Sequence, residues 1–391
     1  MTASHLYPLA GIVLGYGLVI WFNPVRVALR DGLRCVARFE RVWLTFALLG
    51  FGYSVFQFIT FSPLTGAAGE MTLQQVGSIA NWNWPRFIDV WGEVPLPALE
   101  CVAGLFDNAT TTYPLSVVAA ILLIMNWRDV HRTFFRALRR RYGGWGFLIY
   151  AFVLLSALAA LAKPLVYWRL PAWGASEPAA RVLQISASID ALAFVFEYLL
   201  GVFIQVYLIT VCLAWIKGLS FVELELFQFA MRRFSYVLEW AGVVVIVSTL
   251  LVRAPLLLAY FRDVPNVLDY LPAQRALMSA TIILFASVQI SLVLHNETLR
   301  QALAAHRGFL RRNAGQFGWF LLICALHFFV LVAADAIMRG AIHDQALPLI
   351  VWKVVYVLAR AFLTGWLLAA WVCLFRRCEA ARIGQESWIR Y

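Results

Sequence analysis

The sequence predicts an all-α polytopic transmembrane helix bundle of about nine spans, with the N-terminus outside and the C-terminus cytoplasmic, and three observations carry this. Of 391 residues, 62% are hydrophobic and only 14% charged, too apolar a balance for a soluble domain of this size. Nine apolar runs approach or exceed the roughly 20 residues a helix needs to cross a bilayer. They cover 6–22, 43–62, 110–126, 145–168, 188–215, 235–260, 276–295, 317–338 and 350–375. The third observation is where the positive charge falls.

Of 32 lysines and arginines, 22 lie in alternate connections, at 23–42, 127–144, 216–234, 296–316 and 376–391. The opposite connections, 63–112, 169–187, 261–275 and 339–349, hold six. Basic residues accumulate on the cytoplasmic side of a membrane protein, so the first set is expected inside, and an odd number of spans satisfies that orientation. The net charge of +11 is then a topology signal and anticipates no nucleic-acid partner. A bacterial cytoplasmic (inner) membrane is the expected location for this single integral membrane domain.

The first span, 1–22, has no basic region ahead of it and Arg26 and Arg30 directly after it, which predicts a retained helix rather than a cleaved signal. Four units follow, at 23–126, 127–215, 216–295 and 296–375, with a tail at 376–391. Each consists of a basic amphipathic segment, a span, an outer loop and a returning span. Arg26, Arg30, Arg34 and Arg38 recur every four residues in the first unit, and Arg128, Arg132, Arg136 and Arg140 do so in the second. On a helix this spacing makes one basic stripe. Val25, Leu29 and Leu33, with Val130, Phe134 and Leu138, are expected to enter the headgroup boundary while the arginines meet anionic lipid. A docking face for an acidic partner is the alternative. The fourth unit keeps the stripe loosely, and the third replaces it with Glu223 and Glu225 before Arg232 and Arg233.

Further echoes support the units. Trp43, Trp145, Trp240 and Trp319 lie at or near the starts of first spans, where interfacial anchors belong. The motifs IQVYL and VQISL, around Gln205 and Gln289, recur in the second spans of units two and three.

The outer loop 63–112 is long and carries Trp82, Trp84 and Trp91 among prolines and acids, a composition suited to an interfacial flap or to contact with a protein partner. Six cysteines are scattered singly, only Cys101 falling in a long loop, so neither a disulfide framework nor a zinc spacing is expected. Nucleotide-binding and hydrolytic motifs are absent, which points away from catalysis and anticipates no cofactor. His327, deep in a span without an evident partner at its depth, reads as a polar packing residue rather than a metal or haem ligand.

The informative residues are charges inside spans, because an unpaired one at mid-bilayer costs at least about 2.5–3.5 kcal/mol. They are Lys163, Asp190, Glu197, Glu239, Arg253, Asp335, Lys353 and Arg360. Arg253 and Asp335 sit in the outer thirds of their spans and could pair. Asp190 and Glu197 are seven apart on the fifth span, and Lys353 and Arg360 seven apart on the ninth, so each pair shares a face. Both spans run inward, which predicts a ladder of Asp190–Lys353 and Glu197–Arg360. The function this anticipates is binding or movement of a small solute or lipid through a polar path among the helices. A non-catalytic subunit of a larger membrane complex is the alternative.

Overall fold

Thirty-eight residues of continuous helix measure about 57 Å, nearly twice the roughly 30 Å thickness of a bilayer's hydrocarbon, and this mismatch governs the architecture. The computed structural model describes residues 22–48, 94–107, 113–125, 127–176, 179–219, 223–248, 271–295, 297–341 and 346–383, with isolated positions at 15, 17, 19, 50, 51, 250 and 251. Among them there is no strand. The helices are α1 (Arg26–Arg38), α2 (Pro95–Phe106), α3 (Tyr113–Met125), α4 (Trp127–Val130), α5 (Arg136–Tyr142), α6 (Trp145–Ser176), α7 (Ala179–Ile216), α8 (Glu223–Ser248), α9 (Leu271–Leu284), α10 (Ala286–His295), α11 (Leu299–Ala341) and α12 (Ala346–Ile383). A π-helical turn, His131–Phe135, joins α4 to α5.

Five stretches are long and apolar enough to cross a membrane, Trp145–Lys163, Ala191–Ile216, Pro272–His295, Leu299–Ala336 and Ile350–Glu379. They coincide with five of the nine expected spans, and they mark a multi-pass membrane protein. The first, second and sixth expected spans lie wholly or partly outside the described residues. The third is the 13-residue helix α3, only about 20 Å long.

Along α12 the surroundings change. Ile350, Val351, Val354, Val355, Leu358 and Phe362 are exposed apolar residues suited to lipid, whereas every residue from Leu367 to Phe375 is buried. The same change occurs from α9, where Leu277 and Leu284 are exposed, to α10, where Ala286 to Val293 are all buried. In α7 almost every residue from 201 to 214 is buried. A helix apolar on all sides needs either lipid or protein around it, and at this end of the molecule protein supplies the cover.

The cover is made by the arginine-bearing segments, which corrects the expectation that their apolar faces rest in the headgroup boundary. Val25, Leu29, Val130, Phe134 and Leu138 are buried in one protein core, while Leu33 alone of the six is exposed. α1 lies along α12, with the Trp366 Nε1–H donating to the Leu29 carbonyl at 2.8 Å. Gly32 permits this contact, since a Cβ there would stand 2.5 Å from the Ala370 backbone nitrogen. Amphipathic patterning fixes which face is covered but leaves open whether lipid or protein covers it. The arginines remain at the surface, as their charge requires: Arg26, Arg30, Arg34 and Arg38, and Arg128, Arg132, Arg136 and Arg140, are all exposed.

Ion pairs knit these segments into a collar. Arg41 meets Glu223 at 2.8 Å, Arg377 meets Asp31, and Arg141 meets Glu239 at 3.1 Å. The last pair gives the intramembrane candidate Glu239 a protein partner. Beside it the Tyr142 hydroxyl donates to the Ser235 carbonyl, and burial pushes this phenol up to about 12, so it remains a donor through the ordinary pH range.

The outer loop also departs from expectation. Trp82, Trp84 and Trp91 lie outside the described residues, but residues 95–106 form α2, which packs into the bundle against α9 and α11. Cys101 is therefore a half-buried helical residue, and Ala98, Val102, Leu105 and Phe106 are core. Phe106 stands edge-on to Trp371 at 5.3 Å and to Phe317 at 6.4 Å. At the other side of α2, Arg275 holds Glu100 at 2.6 Å.

Candidate functional site

Two features of the interior stand out, an apolar cleft and a buried polar seam. The cleft lies among α3, the π-helical turn, α6, α7 and α8, and encloses about 430 Å³. Its floor is aromatic: Phe203 packs edge-on against Phe227 at 5.4 Å and Phe234 at 5.6 Å, and Phe134 meets Phe234 at 5.7 Å. At one end α3, α6 and α7 approach through Ala120, Ala157, Ala160 and Ala193, whose small side chains allow close helix contact. At the other end the lining becomes polar with Asp129, Thr133 and Gln228. The side is open, for the lining residues Leu122 and Leu224 are 52% and 61% exposed.

The π-helical turn belongs to this cleft through Thr133 and Phe134. Such turns are rare and recur at functional positions. Arg128, Arg132 and Arg232 are exposed and each adjoins a lining residue in sequence.

The seam joins α2 to α7 and α10. The Gln205 amide donates to the Leu105 carbonyl, and the Gln289 amide donates to Gln205 Oε1 at 2.7 Å. Two residues beyond Leu105, the Asp107 carboxylate accepts the Tyr198 hydroxyl at 3.1 and 3.0 Å. All four of these side chains are buried. The glutamines of the repeated IQVYL and VQISL motifs therefore meet each other, and their sequence echo was the signal for this seam. Asp107 had no such signal, since it lies beyond a helix too short to read as a span.

Of the expected ladder, the outer rung falls on Asp190, whose side chain lies outside the described residues, and at the inner rung Glu197 has a different neighbour. Glu197 lies 3.7 Å from Lys163 of the preceding helix. Arg360 and Lys353 are exposed, and the Asp190 side chain and Arg253 lie outside the described residues. The reason is topological: α6 and α7 are consecutive antiparallel helices, so their residues at equal depth are neighbours without a long-range contact being needed. α7 and α12 do touch, but at the buried ends where Cys212 and Cys373 lie near each other. Asp335 accepts the Trp352 Nε1–H at 3.0 Å. His327 bonds through Nδ1 to its own helix, at the Ile323 carbonyl, and stands edge-on to Trp366 at 5.4 Å.

Among the described residues no group of three or more histidine, cysteine or acidic side chains is placed to hold a metal ion. No protein-family model, curated protein or solved structure matches the chain.

Proposed function

We propose that this membrane protein binds a single amphiphile, an anionic phospholipid, in the cleft between α3, α7 and α8, and moves it or presents it there. The observation that carries the reading is the composition of the cleft along its length. An apolar, aromatic-floored trough open to the side suits an acyl chain, and a polar end at Asp129, Thr133 and Gln228, with the exposed Arg128, Arg132 and Arg232 adjoining lining residues in sequence, suits a charged headgroup. A polar solute would find few partners on such walls. In this reading the collar is cytoplasmic and the headgroup comes from the inner leaflet.

Photo-crosslinking tests it. A phospholipid carrying a diazirine on its acyl chain, reconstituted with the protein, is expected to label α7 and α8 within the cleft as well as the lipid-facing side of α6. Filling the trough with Leu200→Trp and Ala119→Trp should abolish the cleft labels and spare those on α6. Equal loss at both places, or cleft labels that persist, would reject the cleft as a lipid site. Orientation is checked separately: a single cysteine placed by Arg140→Cys in a cysteine-free protein should react with an impermeant thiol reagent only after cells are permeabilised.

A second reading, as a subunit of a membrane complex, draws on Lys353. This exposed cation lies among Ile350, Val351 and Val354, on a surface otherwise fit for lipid, and a neighbouring protein would relieve its cost. Native mass spectrometry separates the two, since stoichiometric protein partners favour the subunit and retained phospholipid favours the cleft.

A further inference from the structure

We propose that the buried end of α2 is a binding site for one monovalent cation, a proton or a sodium-sized ion, centred on the Asp107 carboxylate. This stands apart from the lipid reading and shares no lining residue with the cleft.

The argument begins with charge. Asp107 is 3% exposed and receives one hydroxyl, that of Tyr198, shared between its two oxygens. It caps the C-terminal end of α2, its backbone N–H donating to the Ala103 carbonyl at 3.0 Å. That end of a helix carries the negative pole of its dipole, which opposes a carboxylate. A buried anion needs an opposite charge close by or must be neutralised. Among the described residues no cation pairs with it. On α7, Glu197 is taken up with Lys163; on α9, Arg275 holds Glu100; on α12, the exposed Arg360 acts on Cys101. α10 presents Gln289, and α11 presents the Phe317 ring. Among the described residues the compensating charge is therefore missing, and a bound cation would supply it.

A second, independent observation concerns donors. The relay from Gln289 through Gln205 to the Leu105 carbonyl directs its N–H groups toward the end of α2, and it leaves Gln289 Oε1 buried with no hydrogen-bond partner. Buried polar atoms are nearly always satisfied, so an orphan acceptor asks for a missing positive or donating group. The seam thus holds an under-satisfied hard oxygen acceptor at each end, the Asp107 carboxylate beside α2 and Gln289 Oε1 at the far end of the relay, and such oxygens are the ligands that alkali cations and protons take. Interrupted helices inside membrane proteins use their C-terminal ends for such ions.

Thermal melting of the detergent-purified full chain tests the site. If the occupant is a metal ion, sodium chloride should raise the Tm over choline chloride at equal ionic strength in alkaline buffer, by about 5 °C at a hundredfold excess over Kd. If it is a proton, sodium should have no effect and the Tm should fall as pH rises from acid to alkaline, because the folded state then holds a proton that the unfolded chain has already released. In either case Asp107→Asn, which carries its own neutral amide, should be insensitive to both variables. Tyr198→Phe should displace the midpoint of whichever response the wild type shows, whereas a purely structural hydroxyl would lower the Tm equally in every buffer. Wild type and Asp107→Asn responding alike to sodium and to pH would overturn the proposal.

Discussion

Gly32→Ala is expected to lower the folded yield of the detergent-solubilised protein about tenfold or more, while Gly242→Ala leaves it unchanged or slightly raised. Both glycines are helical, so replacing either gains about 0.5–1 kcal/mol of backbone propensity. Space separates them. A Cβ on Gly242 meets nothing within 4 Å, whereas one on Gly32 would come within 2.5 Å of the Ala370 nitrogen, 2.6 Å of its Cα and 2.8 Å of its Cβ. Backbone cannot rotate away, and Leu367 to Phe375 are enclosed on every side, so α1 as a whole would have to lift from α12. Overpacking a core costs about 1–3 kcal/mol even where side chains can yield, and about 1.4 kcal/mol suffices for a tenfold change in the folded ratio. Ala370→Gly should recover only part of the loss, since it removes one of the three close atoms. Gly50, whose added Cβ would meet the Val357 Cγ1 at 2.7 Å, should tolerate alanine better because that methyl can turn aside. A Gly32→Ala protein with wild-type yield and melting would show that α1 does not press on α12.

This contact shows why some of the fold could be read from sequence and some could not. The helical class, five of the spans and the exposed arginines follow from local composition and period, which a single segment carries within itself. The glutamines were visible because two similar motifs repeat. By contrast, Val25, Leu29, Phe134 and Leu138 display the same amphipathic face whether they meet acyl chains or another helix, so only the structure reveals the collar. The placement of α2 was hidden for a different reason. Twelve apolar residues flanked by prolines are too few to span a bilayer, and their burial depends on partners more than 150 residues away in sequence, such as Arg275 for Glu100. The cleft is likewise assembled from five separate segments, none of which carries a motif for it.

The neighbour of Glu197 is where heptad spacing and the structure point to different helices, and it yields the second large effect. Exchanging the charges of Lys163 and Glu197 should restore much of what either single reversal destroys. The pair lies at 3.7 Å with side chains 22% and 15% exposed, and it joins α6 to α7 inside an apolar hairpin. Lys163→Glu would set two acids side by side, and Glu197→Lys two ammonium groups; leaving one buried partner uncompensated typically costs about 3–5 kcal/mol. Each single variant should therefore lose most of its folded yield in detergent. The double variant keeps opposite charges at the same depth and should recover a large fraction. Glu197→Arg with Arg360→Glu provides the contrast. The heptad spacing of both helices makes that exchange attractive on paper, but Arg360 is exposed on α12 while Glu197 faces α6, so the double variant should be no better than the worse single. Recovery in the second exchange and none in the first would move Glu197 to α12 and revive the ladder. Recovery in the first alone establishes the hairpin pair as the one that closes this part of the bundle.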